Sequence, residues 1–136
     1  MGLLKWFLGC SQKNGKRGTV DYNAHKMRKK YSTTKGGYFG EKGKSKGKAS
    51  KKEPVRVIRS KNQFATANDF YSKISKGGKE KSLSNGHGKQ KIMKDGGRVV
   101  YREKTSTPDS PAVNLSEMQG KVKNQKIHFE KEKKDE

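Results

Sequence analysis

Hydrophobic residues recur at helical spacing most clearly between residues 62 and 75. The apolar positions in this stretch lie three, four and seven residues apart: Phe64, Ala67, Phe70, Tyr71 and Ile74. This spacing places them on one face of a helix. Glycines follow at 77 and 78, and glycine commonly ends a helix because it adopts the left-handed backbone conformation. The pattern predicts an amphipathic helix over 62–75.

Shorter alternating or β-branched segments predict strands around this helix. Residues 54–59 alternate, and residues 91–94 and 98–102 flank the sequence Asp-Gly-Gly at 95–97. An Asp-Gly pair supplies the positive φ angles of a tight turn, so these two segments predict a β-hairpin. A loop rich in Ser, Thr and Pro over 105–111 leads to 112–115, and a last strand is predicted over 121–130.

Together these elements predict an α+β domain, in which one amphipathic helix packs on a small antiparallel sheet. The module spans 54–131 and ends in a charged tail at 132–136. Residues 1–53 hold 15 Lys and Arg against 3 acidic residues, a net charge of +12. Because few apolar residues follow Leu8, this half is predicted to be a basic, largely disordered arm, and the Lys- and Gly-rich run 42–52 has the composition of a linker.

The whole composition adds a strong positive charge to this picture. The chain has 34 Lys and Arg against 13 Asp and Glu, a net charge of +21, and only 27% of its 136 residues are hydrophobic. A small core and a partner of dense negative charge, such as RNA, are expected, with binding that weakens strongly as salt rises.

Several classes of protein are disfavoured by residues that the chain lacks. One cysteine cannot form an internal disulfide, and the three scattered histidines match no zinc motif, so neither a metal nor another cofactor is predicted. No apolar stretch approaches the roughly 20 residues of a membrane-spanning helix. The short apolar segment 3–8 before Cys10 leaves lipidation of that cysteine open, although it is shorter than a secretory signal.

Strand alternation brings a small set of reactive side chains to one face. If Ile127 and Phe129 point inward, Lys126, His128 and Glu130 share the solvent face. On the hairpin, Arg98 and Arg102 point away from Val99 and Tyr101. If the two strands are neighbours, Arg102 and His128 converge on the solvent face of the sheet.

Cleavage of RNA without a metal requires a base for the ribose hydroxyl, an acid for the leaving oxygen and cations for the phosphorus-centred charge. His128 supplies an acid or a base, and Arg102 with Lys91 or Lys126 supplies cations. The hydroxyl groups of the 105–110 loop are suited to phosphate oxygens, and they are equally typical of an ordinary turn.

A resemblance is carried by four stretches of the chain, 64–71, 97–102, 106–113 and 124–129, and by the phrases VVYRE, SPAV and QKIHF at 99–103, 110–113 and 125–129. Over about 65 residues they resemble the carboxy-terminal effector module of bacterial polymorphic toxins, several of which are compact ribonucleases of barnase-like architecture. The resemblance implies functional roles for Arg102, Ser106, Ser110 and His128. It also implies an acidic immunity protein as inhibitor, and secretion or delivery into a target-cell cytoplasm.

The leading hypothesis is therefore a metal-independent endoribonuclease of the toxin type. Its predicted catalytic residues are His128, Arg102, Ser106 and Ser110, and its predicted RNA-binding residues are Lys91, Arg98, Tyr101 and Lys126. One alternative is a noncatalytic cytoplasmic RNA- or DNA-binding protein, in which Tyr101 and Phe129 stack on bases. Another is a peripheral membrane protein that uses segment 3–8 and the basic arm against anionic lipid.

Overall fold

The computed structural model describes residues 16–43, 54–82, 88–105 and 108–132. Several sequence predictions concern residues outside these ranges. They are the apolar start with Cys10, nearly all of the linker, Ser106 in the 105–110 loop and the end of the charged tail.

The described residues form two helices and one seven-stranded sheet. The helices are α1 (Val20–Lys26) and α2 (Gln63–Ile74). The strands are β1 (Glu41–Lys42), β2 (Val55–Ser60), β3 (Lys79–Lys81), β4 (Lys89–Ile92), β5 (Arg98–Arg102), β6 (Ala112–Ser116) and β7 (Gln125–Lys131). Their order in the sheet is β1-β2-β7-β6-β5-β4-β3. Only the β2–β7 pair among these is parallel. The α+β class predicted from the sequence is confirmed.

Helix α2 begins and ends close to its predicted limits. The Asn62 side chain caps its first turn by accepting a hydrogen bond from the amide of Ala65 at 3.1 Å, which satisfies a backbone donor that the helix leaves free. After the C-cap Ser75, Gly77 has a φ of +85°. On the apolar face of α2, Ala67, Phe70 and Ile74 are fully buried, whereas Phe64 in the first turn is only partly buried.

The predicted hairpin is also present, formed by β4 and β5. Gly96 has a φ of +91°, and its amide donates to the carbonyl of Met93 at 3.0 Å. The Asp95 carboxylate accepts from the amide of Gly97 at 2.9 Å. Gly96 thus supplies the left-handed position that the sequence predicted, whereas Asp95 does not have a positive φ and closes the turn through its side chain instead.

The core lies between the helices and one face of the sheet, which we call the inner face. Its sheet residues alternate along β5, β6 and β7: Val99, Tyr101, Val113, Leu115, Ile127 and Phe129. Phe70 of α2 contacts Phe129 with 5.5 Å between ring centroids, and it packs edge-to-face on Phe39 at 4.9 Å. The side of the sheet opposite the helices is the outer face.

The folding unit extends further towards the amino terminus than the predicted start at residue 54. Val20, Met27, Tyr31 and Phe39 are buried in the same core as α2, so the described part of the arm, residues 16–43, is structured. Val20, Ala24, Met27 and Tyr31 follow a helical spacing. This pattern is hard to see in the sequence, because only a few apolar residues form it and many Lys and Arg residues surround them.

The predicted picture of one helix on a small antiparallel sheet needs two corrections. Helix α1 is a second helix, and the parallel pairing of β2 with β7 makes the sheet mixed. Local patterns indicate hairpins between strands that follow each other in the chain, but they do not indicate that β2 pairs with a strand about 65 residues later. None of the helices in the described ranges has the length and apolar character needed to span a membrane.

Candidate functional site on the outer sheet face

Four neighbouring strands present one row of side chains across the outer face. Val57 of β2 is paired with His128 of β7, His128 with Ala112 of β6, and Ala112 with Arg102 of β5. Residues paired across a ladder lie on the same face. His128 and Arg102 therefore share the outer face, in the same row, as the alternation predicted.

A second row lies two residues along each strand. There Lys126 is paired with Asn114, and Asn114 with Val100. Arg98 lies beyond Val100 on the same strand, opposite Ser116. Two of the predicted RNA-binding residues, Lys126 and Arg98, are thus on the same face as His128.

His128 and Arg102 are separated by one strand and are not on neighbouring strands. Adjacent strands lie about 4.8 Å apart, so two steps place their backbones roughly 10 Å from each other. Ala112 between them has a single methyl group and is fully buried. The surface over Ala112 is therefore closed to solvent, so the imidazole and the guanidinium share a row without an open groove between them.

The His128 ring is held by Ser110, which precedes β6. The Oγ of Ser110 lies 3.0 Å from Nδ1 of His128, and either group can be the donor, depending on the imidazole tautomer. Ser110 is 2% exposed and His128 is 9% exposed. The ring is thus much less open to solvent than a side chain on a free sheet surface.

The loop that carries Ser110 is fixed at several points. The Gln63 side-chain amide donates to the carbonyl of Asp109 at 2.9 Å, and the Thr105 hydroxyl donates to the carbonyl of Ser110 at 2.7 Å. The amide of Phe129 donates to the carbonyl of Pro111 at 2.8 Å. The start of α2 and strand β7 thus both hold the loop, so the position of Ser110 depends on both.

The environment of His128 favours the neutral imidazole. Burial lowers its pKa below the ordinary value of 6.5, and the positive charge of Lys126 lowers it further, while Glu130 and a hydrogen bond with the backbone of Ser110 act in the opposite direction. The ring is therefore predominantly uncharged at pH 7. A neutral imidazole is the form that accepts a proton.

Two predicted RNA-binding residues lie away from this site, on the inner face. Tyr101 is 3% exposed, and its ring packs against Tyr71 with 5.7 Å between centroids. The Nζ of Lys91 lies 5.7 Å from the centroid of the Tyr71 ring on α2. A base can stack on Tyr101 only if the core opens, and the same holds for the fully buried Phe129.

One residue of this face was not singled out from the sequence. Asn114 lies in the middle of the second row, between Lys126 and Val100, and its side-chain oxygen is buried. The alternation of β6 carries the signal, because residues 112, 114 and 116 share a face. In the four described ranges, no three His, Cys, Asp or Glu side chains are grouped closely enough to hold a metal ion.

Comparisons of the chain with protein-family models, with curated proteins and with solved structures found no match. The resemblance to toxin effector modules therefore stays a prediction from the quoted residues.

Proposed function

We propose that this protein is a metal-independent endoribonuclease of the bacterial toxin type. The observation that carries the proposal is the row across the outer face, in which a mostly neutral His128, held by Ser110, shares a face with Arg102. An acid–base group, a residue that orients it and a fixed cation are the minimum set for cleavage of a phosphodiester.

The proposed reaction uses the ribose hydroxyl as the nucleophile. His128 accepts the proton of the 2′-hydroxyl, whose oxygen attacks the adjacent phosphorus while the bond from phosphorus to the 5′-oxygen of the next nucleotide breaks. The proton is then returned to the leaving oxygen by the protonated imidazole or by water. Arg102 stabilises the negative charge that builds on the phosphoryl oxygens, because a guanidinium matches their geometry.

The neighbouring residues have supporting roles in this proposal. Ser110 is a positioning residue, since its hydroxyl contacts His128 Nδ1, and Ser106, which lies outside the described residues, is proposed to contact a phosphate oxygen. Lys126 and Arg98 bind the RNA backbone along the outer face. An acidic immunity protein would inhibit the enzyme by covering this face, because opposite charges favour rapid and specific association.

Replacement of His128 tests the catalytic proposal directly. We expect the parent chain to fragment total RNA in EDTA, and His128→Gln to slow fragmentation by about 10²- to 10⁴-fold, the usual range for loss of an acid–base group. Gln keeps a polar side chain beside Ser110, and an unfolding curve checks that the variant is folded. His25→Ala, which changes a histidine far from β7 in the sequence, is the matched control and should cleave like the parent.

Equal cleavage by His128→Gln and the parent would contradict the assignment of His128 as the acid–base residue.

A single observation favours the second candidate, a noncatalytic nucleic-acid-binding protein. His128 and Ser110 are 9% and 2% exposed, which is also expected of a hydrogen bond that only stabilises the sheet. In that case the parent shifts RNA in a gel and leaves it intact.

A further inference from the structure

A second positively charged feature lies on the helix side of the sheet. It is a pocket of about 650 Å³ between α1 and the end of α2. Four cationic side chains line it, and no carboxylate does: Arg17, Lys26, Lys73 and Lys76. Because the helices pack on the inner face, this pocket is separated by the sheet from the row that contains His128.

Three of these cations have no carboxylate partner in the described residues. Arg17, Lys26 and Lys76 form no ion pair there, whereas Lys73 is paired with Asp69 at 2.7 Å. Asp69 is also bonded to Lys30 and to the Tyr31 hydroxyl, at 2.9 and 2.7 Å. Although partial burial opposes ionisation of Asp69, the hydrogen bonds from these three groups outweigh it and hold the carboxyl pKa well below its usual range. The charge of Lys73 is thus already balanced by a stable carboxylate.

The floor of the pocket is a close approach of two glycines. Gly18 and Gly77 have φ angles of +90° and +85°, and a Cβ on Gly77 would lie 2.9 Å from the Cα of Gly18. Asn23 of α1 fixes this arrangement, because its side-chain amide donates to the carbonyls of Ile74 and Lys76 at 2.8 and 2.9 Å. The Lys94 side chain packs against Gly18, where a Cβ would lie 2.6 Å from it, so this wall of the pocket is closely packed and well fixed.

Tyr22 provides an aromatic wall with a polar end. The Nζ of Lys26 lies 5.6 Å from the centroid of its ring. A hydrogen bond with Arg17 lowers the pKa of the Tyr22 hydroxyl, burial acts in the opposite direction, and the charges of Lys26 and Arg17 add to the lowering. Both cations therefore lie close enough to the Tyr22 hydroxyl to act on it electrostatically.

We propose that this pocket binds a phosphate group, carried by a free anion or nucleotide or by the backbone of a nucleic acid, with Arg17, Lys26 and Lys76 as its countercharges. The site is independent of the endoribonuclease proposal, because it needs neither His128 nor Arg102. Its size accommodates a phosphate together with an attached nucleoside, whose base would lie beside Tyr22.

Nuclear magnetic resonance on the full chain tests the proposal through the backbone amides of Gly18 and Gly77. Inorganic phosphate, adenosine monophosphate and a short single-stranded oligonucleotide are titrated in turn at constant ionic strength. We expect saturable shifts of both amides with at least one of them. Stronger binding of the monophosphate than of the oligonucleotide identifies a free phosphate or nucleotide as ligand, and the reverse order identifies a nucleic-acid backbone.

A charge-matched pair of double variants separates a site from general electrostatics. Lys26→Gln with Lys76→Gln should weaken binding about tenfold or more, the effect of losing charge-assisted contacts. Lys79→Gln with Lys81→Gln, which removes the same charge from exposed positions of β3, should leave it nearly unchanged. Linear shifts without saturation, or equal weakening by both double variants, would overturn the proposal.

Discussion

The imidazole of His128 lies between two charges of opposite sign on its own strand. Lys126 precedes it and Glu130 follows it on the same face of β7, and both act on its pKa. Its paired neighbours, Val57 and Ala112, are uncharged. Arg59, on the same face of β2, forms ion pairs with Glu41 at 2.8 Å and with Glu130 at 3.8 Å. Changing one charge on β7 should therefore move the His128 pKa in a known direction.

We expect Lys126→Gln to raise the pKa of His128 and Glu130→Gln to lower it. The first variant removes a positive charge that disfavours the imidazolium, and the second removes a negative charge that favours it. Titration of the imidazole signals by nuclear magnetic resonance measures both shifts, with His25 in each variant as the internal control. Shifts of the same sign in the two variants would contradict this account of the site.

The free energy of unfolding should depend on pH through the same shifted pKa of His128. Because the His128 pKa in the folded chain lies below the ordinary value of 6.5, the unfolded chain binds more protons at acid pH. The contribution of His128 to the free energy of unfolding is fully present above pH 6.5, the ordinary pKa of the unfolded chain. It is lost as the pH falls through the lower pKa of the folded chain.

At this scale the sequence predicted which residues share a face but not how exposed they are. A period of two along β5 and β7 is enough to place His128 with Arg102 and apart from Tyr101. The burial of His128 and its contact with Ser110 depend on the path of the 105–111 loop. That path depends in turn on Gln63 and on the pairing of β6 with β7, which no local pattern contains.

At the scale of the elements, the correct predictions are those with local causes. Helix α2 has its capping residue, its apolar spacing and its terminal glycine within its own segment, and the β4–β5 hairpin has its turn residues between its strands. Helix α1 has such signals too, because the Thr19 side chain accepts from the amide of Tyr22 and the apolar residues recur at helical spacing, but the many Lys and Arg around them hid the pattern. The parallel β2–β7 pair has no local signal, because its two strands are far apart in the sequence.

Gly77 after α2 and Gly96 in the β4–β5 turn offer a matched pair of glycine substitutions. Gly96→Ala should cost about 1 to 2 kcal/mol, the penalty of a left-handed alanine, because no atom lies within 4 Å of the added Cβ. Gly77 has a similar φ, and Gly77→Ala also brings a Cβ to 2.9 Å from the Gly18 Cα. This substitution should therefore lower the free energy of unfolding by at least about 1 kcal/mol more than Gly96→Ala. Urea unfolding measures both free energies. Equal losses would show that the contact of the two glycines contributes nothing beyond the φ angle.

At the scale of the whole molecule, both halves of the chain build a single core. The positively charged half contributes Val20, Met27, Tyr31 and Phe39, and the second half contributes α2 and the inner face of the sheet. The composition correctly indicated a small core, but the charge of the first half concealed its share of that core.

Truncation tests this shared core. A chain that begins at residue 54 loses five buried core residues. The four larger ones are worth roughly 2 kcal/mol each and about 8 kcal/mol together, which is comparable to the total stability of a small domain. We expect that chain to show no cooperative thermal transition by circular dichroism. A chain that begins at residue 16 is the control and should unfold cooperatively. A cooperative transition in the shorter chain would instead support the boundary predicted from composition.

The position of β7 inside the sheet determines when the outer row can exist. This strand lies between β2 and β6. Strand β2 therefore cannot pair until β7, which begins about 65 residues after β2 ends, has been synthesised, and closing such a long loop slows folding. The row through Val57, His128, Ala112 and Arg102 crosses four strands and is complete only when that last insertion has occurred. A nascent or partly unfolded chain therefore has the reactive groups but not their arrangement, and the proposed nuclease would be harmless until it has folded.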